Sequence, residues 1–149
     1  MKVKDVLAHH GGRPMPSCGL EDTVDAVVKK LIEAPYSRVV YVLDEGGHLA
    51  GIVSLGSLLR HAYPHNYQAQ VHSRGILRKI TALTAGELMD RTTTFAKMND
   101  DVEDVLALMG SVGVKEMPVV DEDGVVKDYL TAVDLLCCHY LKGELHSDK

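Results

Sequence analysis

Apolar residues recur along the chain with two different periods, and the same succession of periods occurs twice. In Asp22-Thr23-Val24-Asp25-Ala26-Val27-Val28-Lys29-Lys30-Leu31, residues Val24, Val27, Val28 and Leu31 fall at i, i+3, i+4 and i+7. Val102, Val105, Leu106 and Met109 repeat that template. Such spacing lays one apolar stripe along a helix. Asp22 and Asp100 stand ahead of the stripes as N-cap candidates, and Asp25 and Glu103 place negative charge in the first turn, where the helix dipole favours it. The pattern then changes to short apolar runs ending in acidic turns, Arg38-Val39-Val40-Tyr41-Val42-Leu43-Asp44-Glu45-Gly46-Gly47 and Lys115-Glu116-Met117-Pro118-Val119-Val120-Asp121-Glu122-Asp123-Gly124. The β-branched residues predict strands entering hairpins, with Gly46-Gly47 and Asp123-Gly124 supplying the positive φ of tight turns. Return strands are predicted at 49–54 and 125–131, each leading into a helix at Ser57-Leu58-Leu59 or Asp134-Leu135-Leu136.

The two helical stripes lie 78 positions apart, whereas the final segments lie 77 apart. One extra residue therefore sits in the first copy, at Ala34-Pro35-Tyr36-Ser37, where proline ends the helix. Each copy is a β-α-β-β-α unit of about 60 residues, too small to shield its own sheet, so two copies must pack face to face. The predicted organisation is a first copy at 1–62, a linker at 63–80 interrupted by Pro64-His65-Asn66, a second copy at 81–141, and a tail at 142–149. The fold class is mixed α/β (α+β).

Composition narrows the function. With 149 residues, 46% of them hydrophobic and 25% charged, the chain is a globular protein with a real core. A net charge of −5 argues against a general nucleic-acid or anionic-membrane binder, so an anionic ligand must be met locally. No apolar run approaches the roughly 18 residues of a membrane span. The opening Met1-Lys2-Val3-Lys4-Asp5 lacks the apolar block of a signal peptide, so a cytoplasmic location is expected. Cys18, Cys137 and Cys138 are too few and too irregular for a disulfide framework and are expected to be reduced packing residues.

The repeated motifs resemble a tandem pair of CBS (cystathionine-β-synthase) domains, the arrangement called a Bateman module. In the second copy the resemblance is carried by Glu87-Leu88-Met89, Met117-Pro118-Val119-Val120-Asp121-Glu122-Asp123-Gly124 and Leu130-Thr131-Ala132-Val133-Asp134-Leu135-Leu136. In the first it rests on Asp5-Val6-Leu7, Val42-Leu43-Asp44-Glu45-Gly46-Gly47 and Gly51-Ile52-Val53-Ser54. It implies two sheets related by a pseudo-twofold axis, clefts that hold an adenosine-containing ligand such as AMP, ADP, ATP or S-adenosylmethionine, pairing into homodimers, and regulation of another protein.

Residue chemistry agrees in the second copy. Thr131 ends a predicted strand and Asp134 opens a helix, so a hydroxyl and a carboxylate share one corner. Backbone N–H groups at a helix start favour phosphate, and a carboxylate can accept from both hydroxyls of a ribose. The resemblance assigns Thr131 to phosphate and Asp134 to ribose, with Thr93, Thr94, Met117 and Pro118 near the base. The plainer reading makes Asp134 an N-cap and Thr131 a strand residue. Asp128 stands where the family has glycine, as Gly51 does in the first copy, and its carboxylate opposes phosphate unless it points away. The first copy offers Ser54 and Ser57, without the ribose-binding carboxylate, and its site is expected to be degenerate. Arg38, with Arg13 and Arg60, is a candidate source of phosphate charge from that copy, and the plainer reading leaves these arginines as solvated surface.

His61 and His65 share helical spacing and His72 follows, but Pro64 breaks the helix, so surface histidines of a linker are expected and no metal site. His139, beside Cys137 and Cys138, is assigned to packing. No nucleophile elbow, phosphate loop or His-Glu-x-x-His appears, so no catalytic residues and no enzyme are expected. The expected function is a regulatory module with no obligatory cofactor, which binds an adenosyl ligand in the inter-domain cleft and signals to an effector protein in trans, without nucleic-acid or membrane partners. The alternative is a ligand-free dimerisation or scaffold module.

Overall fold

A hairpin supplies the central strand and one edge strand of each sheet. The computed structural model describes residues 1–9, 13–62, 83–91 and 94–141. Strands β2 (Val39–Leu43) and β3 (Leu49–Ser54) pair antiparallel, Val40 opposite Val53 and Tyr41 opposite Ile52. Asp44 closes the turn by accepting the Gly46 and His48 N–H groups at 2.9 Å each, and these donors, His48 foremost, hold its carboxyl below the ordinary value. In the second hairpin β5 (Glu116–Val120) pairs antiparallel with β6 (Val126–Thr131), and Asp121 accepts from Asp123 and Val125 at the same distance. Only the second glycine of the first turn takes positive φ: Gly47 and Gly124 both lie at 81°, a region open to glycine at little cost.

A parallel strand completes each sheet. Strand β1 (Ser17–Gly19) pairs with β2 and β4 (Ala96–Lys97) with β5, giving the orders β1-β2-β3 and β4-β5-β6. β4 is the shorter for a visible reason. The Tyr41 N–H donates to the Pro16 carbonyl at 2.8 Å beside β1, whereas the matching position in β5 is Pro118, which has no N–H to extend the pairing.

Between the parallel strands run α2 (Val24–Glu33) and α5 (Val102–Val112), with Val27 buried in one and Val102, Val105 and Met109 in the other. Their N-caps fall one residue later than the sequence suggested, at Thr23 and Asp101. Asp22 and Asp100 are occupied before the helix begins: Asp22 accepts the Gly19 N–H at 2.8 Å and Asp100 the Lys97 N–H at 2.9 Å, turning the chain out of the parallel strand. Helices α3 (Leu55–Ala62) and α6 (Ala132–Tyr140) follow the hairpins.

Two further short helices do not stay with their own copies. The chain divides into a central unit, Pro16–Thr93, and a terminal unit made of Met1–Met15 with Thr94–Lys149. Helix α1 (Val3–Leu7) belongs to the terminal unit, where Val3 N–H donates to Asp100, Lys4 N–H to Met98, and Val102 N–H to Met1. Helix α4 (Ala85–Leu88) belongs to the central unit, held by Ala85 N–H to Asp22 and Gly86 N–H to Leu20. Contiguous sequence copies and packed units are thus different partitions of one chain. Apolar side chains explain the exchange: Val3 and Val6 are fully buried with Met117, Val119, Leu130 and Leu135, while Ala85 and Leu88 are buried with Val27, Val40, Val42 and Val53. The architecture is mixed α+β with two three-stranded sheets. Among the described residues no helix is long and apolar enough to cross a membrane.

Candidate ligand site

In the terminal unit the strand-to-helix corner forms where the sequence placed it. Thr131 ends β6 and caps α6: its Oγ1 accepts the Asp134 N–H at 3.1 Å, and its own N–H donates to Asp134 Oδ2 at 2.8 Å. This reciprocal capping box fixes the carboxylate's direction. Thr131 is therefore the cap and Asp134 its third-position partner.

The carboxylate has a second engagement. Arg13 Nη1 donates to Asp134 Oδ1 at 3.2 Å and Nη2 to Oδ2 at 2.7 Å, while Nη2 also reaches the Tyr129 carbonyl at 3.1 Å. Its guanidinium carbon lies 4.3 Å from the centre of the Tyr129 ring. The pair is largely enclosed, with 12% of the Arg13 side chain and 10% of Asp134 exposed. Burial lowers the Arg13 pKa, but the hydrogen bond and charge of Asp134 outweigh it and the net shift is upward. Asp128 adds to that field, its Oδ1 also accepting the Tyr129 N–H at 2.7 Å. The sequence reading put Arg13 with the first copy. That is corrected here: Arg13 follows α1 into the terminal unit and meets the second copy's carboxylate.

The remaining expected contacts divide. Thr94 is half-buried just ahead of β4, and Thr93 lies outside the described residues. Met117 is sequestered in the core, whereas Pro118 pairs with Tyr129 on the opposite face of β5.

The central unit builds the same corner from other groups. Ser54 Oγ accepts the Ser57 N–H at 3.0 Å, as Thr131 does for Asp134. The two serine hydroxyls are 3.0 Å apart; Ser57 donates to Asp90 Oδ2 at 3.0 Å and accepts from Arg60 at 3.2 Å. A carboxylate thus does reach this corner. Sequence reasoning missed Asp90 because it comes from the chain after α4, held to β3 by Ile52 N–H to Asp90 O at 2.9 Å and Asp90 N–H to Ile52 O at 2.8 Å. Arg38 contributes its backbone carbonyl, accepting the Leu55 N–H at 2.9 Å, and its side chain is exposed.

A separate hollow of about 330 Å³ in the terminal unit is lined by Met1, Asp101, Val102, Glu103, Asp104, Cys138 and His139. Three carboxylates make it hostile to phosphate. Among the described residues no three His, Cys, Asp or Glu side chains converge as a metal site. His65 and His72 lie outside those residues. The three cysteines are free thiols.

Comparison with known proteins settles the family. The sequence profile of the CBS domain matches residues 3–63 and again 85–138. The chain belongs to the CBS-domain family. Among solved structures, this CBS pair is similar to the CBS domain of a CBS-domain-containing membrane protein from Sphaerobacter thermophilus, at 29% identity and a TM-score of 0.68, covering 91% of this chain and 86% of that one. It is similar to a CBS-domain-containing protein from Thermotoga maritima at 28% identity and 0.70, covering 93% of each. At 20% identity the fold is also that of CBSX2 in complex with AMP, with a TM-score of 0.67 and coverage of 87% and 91%. No match was found among curated proteins.

Proposed function

We propose that this CBS pair is a non-catalytic regulatory module that binds an adenosine-containing ligand, AMP, ADP, ATP or S-adenosylmethionine, at the Thr131–Asp134 corner and signals to a partner protein in trans. The observation carrying this reading is the capping box, which fixes a carboxylate at a strand-to-helix corner, and a carboxylate can accept from both hydroxyls of a ribose. The AMP complex of a protein with the same fold supports the ligand class. Exposed Val28 and Ile32 on α2, and Val133, Leu136 and Tyr140 on α6, support homodimer formation. The ligand acts by differential affinity for two arrangements, since equal affinity shifts nothing.

A second reading, a ligand-free dimerisation or scaffold module, draws on one observation: Asp134 already holds Arg13. Calorimetric titration with AMP, ADP, ATP and S-adenosylmethionine separates the two. Saturable binding of at least one, weakened in Asp134→Asn, is the expected result. Absence of heat and of thermal stabilisation with all four leaves the scaffold.

A further inference from the structure

The guanidinium of Arg13 presents two parallel N–H donors to the two oxygens of Asp134, at 3.2 and 2.7 Å. A ribose diol would present two O–H donors to the same oxygens, so arginine and sugar compete for one acceptor pair. Arg13 is also incompletely satisfied. Its Nε is buried, and among the described residues it has no hydrogen-bond partner. An enclosed guanidinium with a spare donor, 4.3 Å above a tyrosine ring, needs another anion if its carboxylate is taken away.

We propose that Arg13 is a latch on Asp134 that opens to phosphate-bearing adenosyl ligands and stays shut to the bare nucleoside. This inference rests on the adenosine reading above and narrows it to a class. A nucleotide exchanges one anion for another around Arg13: its diol takes the Asp134 oxygens while its phosphate takes the guanidinium, which binds phosphate with the same planar fork. Adenosine brings a diol but no anion, so its binding strands a charged donor in a low-dielectric pocket. The latch therefore sets specificity by penalising the wrong ligands.

The test titrates adenosine and AMP separately into the full-length protein and its Arg13→Gln and Arg13→Lys variants. Expected is a gain in adenosine affinity of about tenfold in Arg13→Gln, the worth of one charge-assisted hydrogen bond, with a ratio of AMP to adenosine affinity lower than wild type. Arg13→Lys keeps the charge but loses the fork, so it gains adenosine affinity by less, and it carries the test alone if the glutamine variant does not fold. Unchanged adenosine affinity in a folded variant overturns the latch, even where AMP binding weakens, because Arg13 is then a phosphate contact only. If wild type binds AMP and adenosine affinity does not rise, the latch alone fails. If neither wild type nor variants bind AMP or adenosine, the latch fails, and the adenosine reading falls with it only where ADP, ATP and S-adenosylmethionine also fail to bind.

Discussion

The two strand-to-helix corners share a backbone and differ in charge. In each, the last strand residue accepts an N–H from three residues on, Ser54 from Ser57 at 3.0 Å and Thr131 from Asp134 at 3.1 Å. In each, the segment following a short helix covers the preceding strand carbonyl. Asp90 N–H takes that of Ile52, and Arg13 Nη2 takes that of Tyr129. The polarity is inverted. The central unit sets an acid on the covering segment against a hydroxyl on the helix, while the terminal unit sets a base against an acid. Hydroxyls can serve as donor or acceptor and tolerate loss of a neighbour. An enclosed ion pair cannot lose one member without leaving the other uncompensated.

That difference predicts the largest effect. Asp134→Ala leaves the Arg13 charge enclosed without its carboxylate and costs about 3 kcal/mol, the low end for breaking a buried pair. Ser57→Ala, at the equivalent position, removes hydrogen bonds to charged partners without stranding a buried charge and costs about 1.5 kcal/mol. Urea denaturation of both variants checks this. Equal losses would mean that the Arg13 pair is no more demanding than the serine network. A smaller effect separates the strands beneath. A Cβ on Gly51 would meet the Asp90 carbonyl at 2.6 Å and Met89 Sδ at 2.7 Å. Gly51→Ala should therefore cost about 1–3 kcal/mol by overpacking, whereas Asp128, facing Val119 as Gly51 faces Val42, already carries a side chain there. A neutral Gly51→Ala would show that the Asp90 segment yields easily.

Much of this was legible in the sequence because it is local. Hairpins, helices and the Thr131–Asp134 corner depend on periodicity, turn residues and a three-residue spacing, all read within a short window. The occupants of the two corners depend on which unit α1 and α4 join. Arg13 and Asp134 are 121 positions apart, and Ser57 and Asp90 are 33 apart, and no local pattern links either pair. The burial of Val3, Val6, Ala85 and Leu88 decides both. The N-cap displacement has a similar origin on a smaller scale: an aspartate that turns the chain out of β1 or β4 is no longer available to cap the helix.

An effect confined to alkaline pH, and absent at neutral pH, compares the cores. Cys18 in β1 occupies the place that Ala96 holds in β4. Burial, helped by the Asp22 charge, pushes its thiol from 9.0 to about 11. Between those pH values the unfolded chain has lost the Cys18 proton and the folded chain keeps it, so the unfolded state binds fewer protons and stability falls as pH rises. Below pH 9 both states are protonated and the residue adds no slope. Cys18→Ala gives the central unit the side chain its counterpart already uses, so its stability should fall less steeply from pH 9 to 11 than that of the wild type, as read from urea midpoints. Lysine and tyrosine titrations are common to both proteins and cancel in the difference. Parallel pH profiles would mean that Cys18 meets more solvent than its buried place in β1 implies, and that the two cores are electrostatically alike.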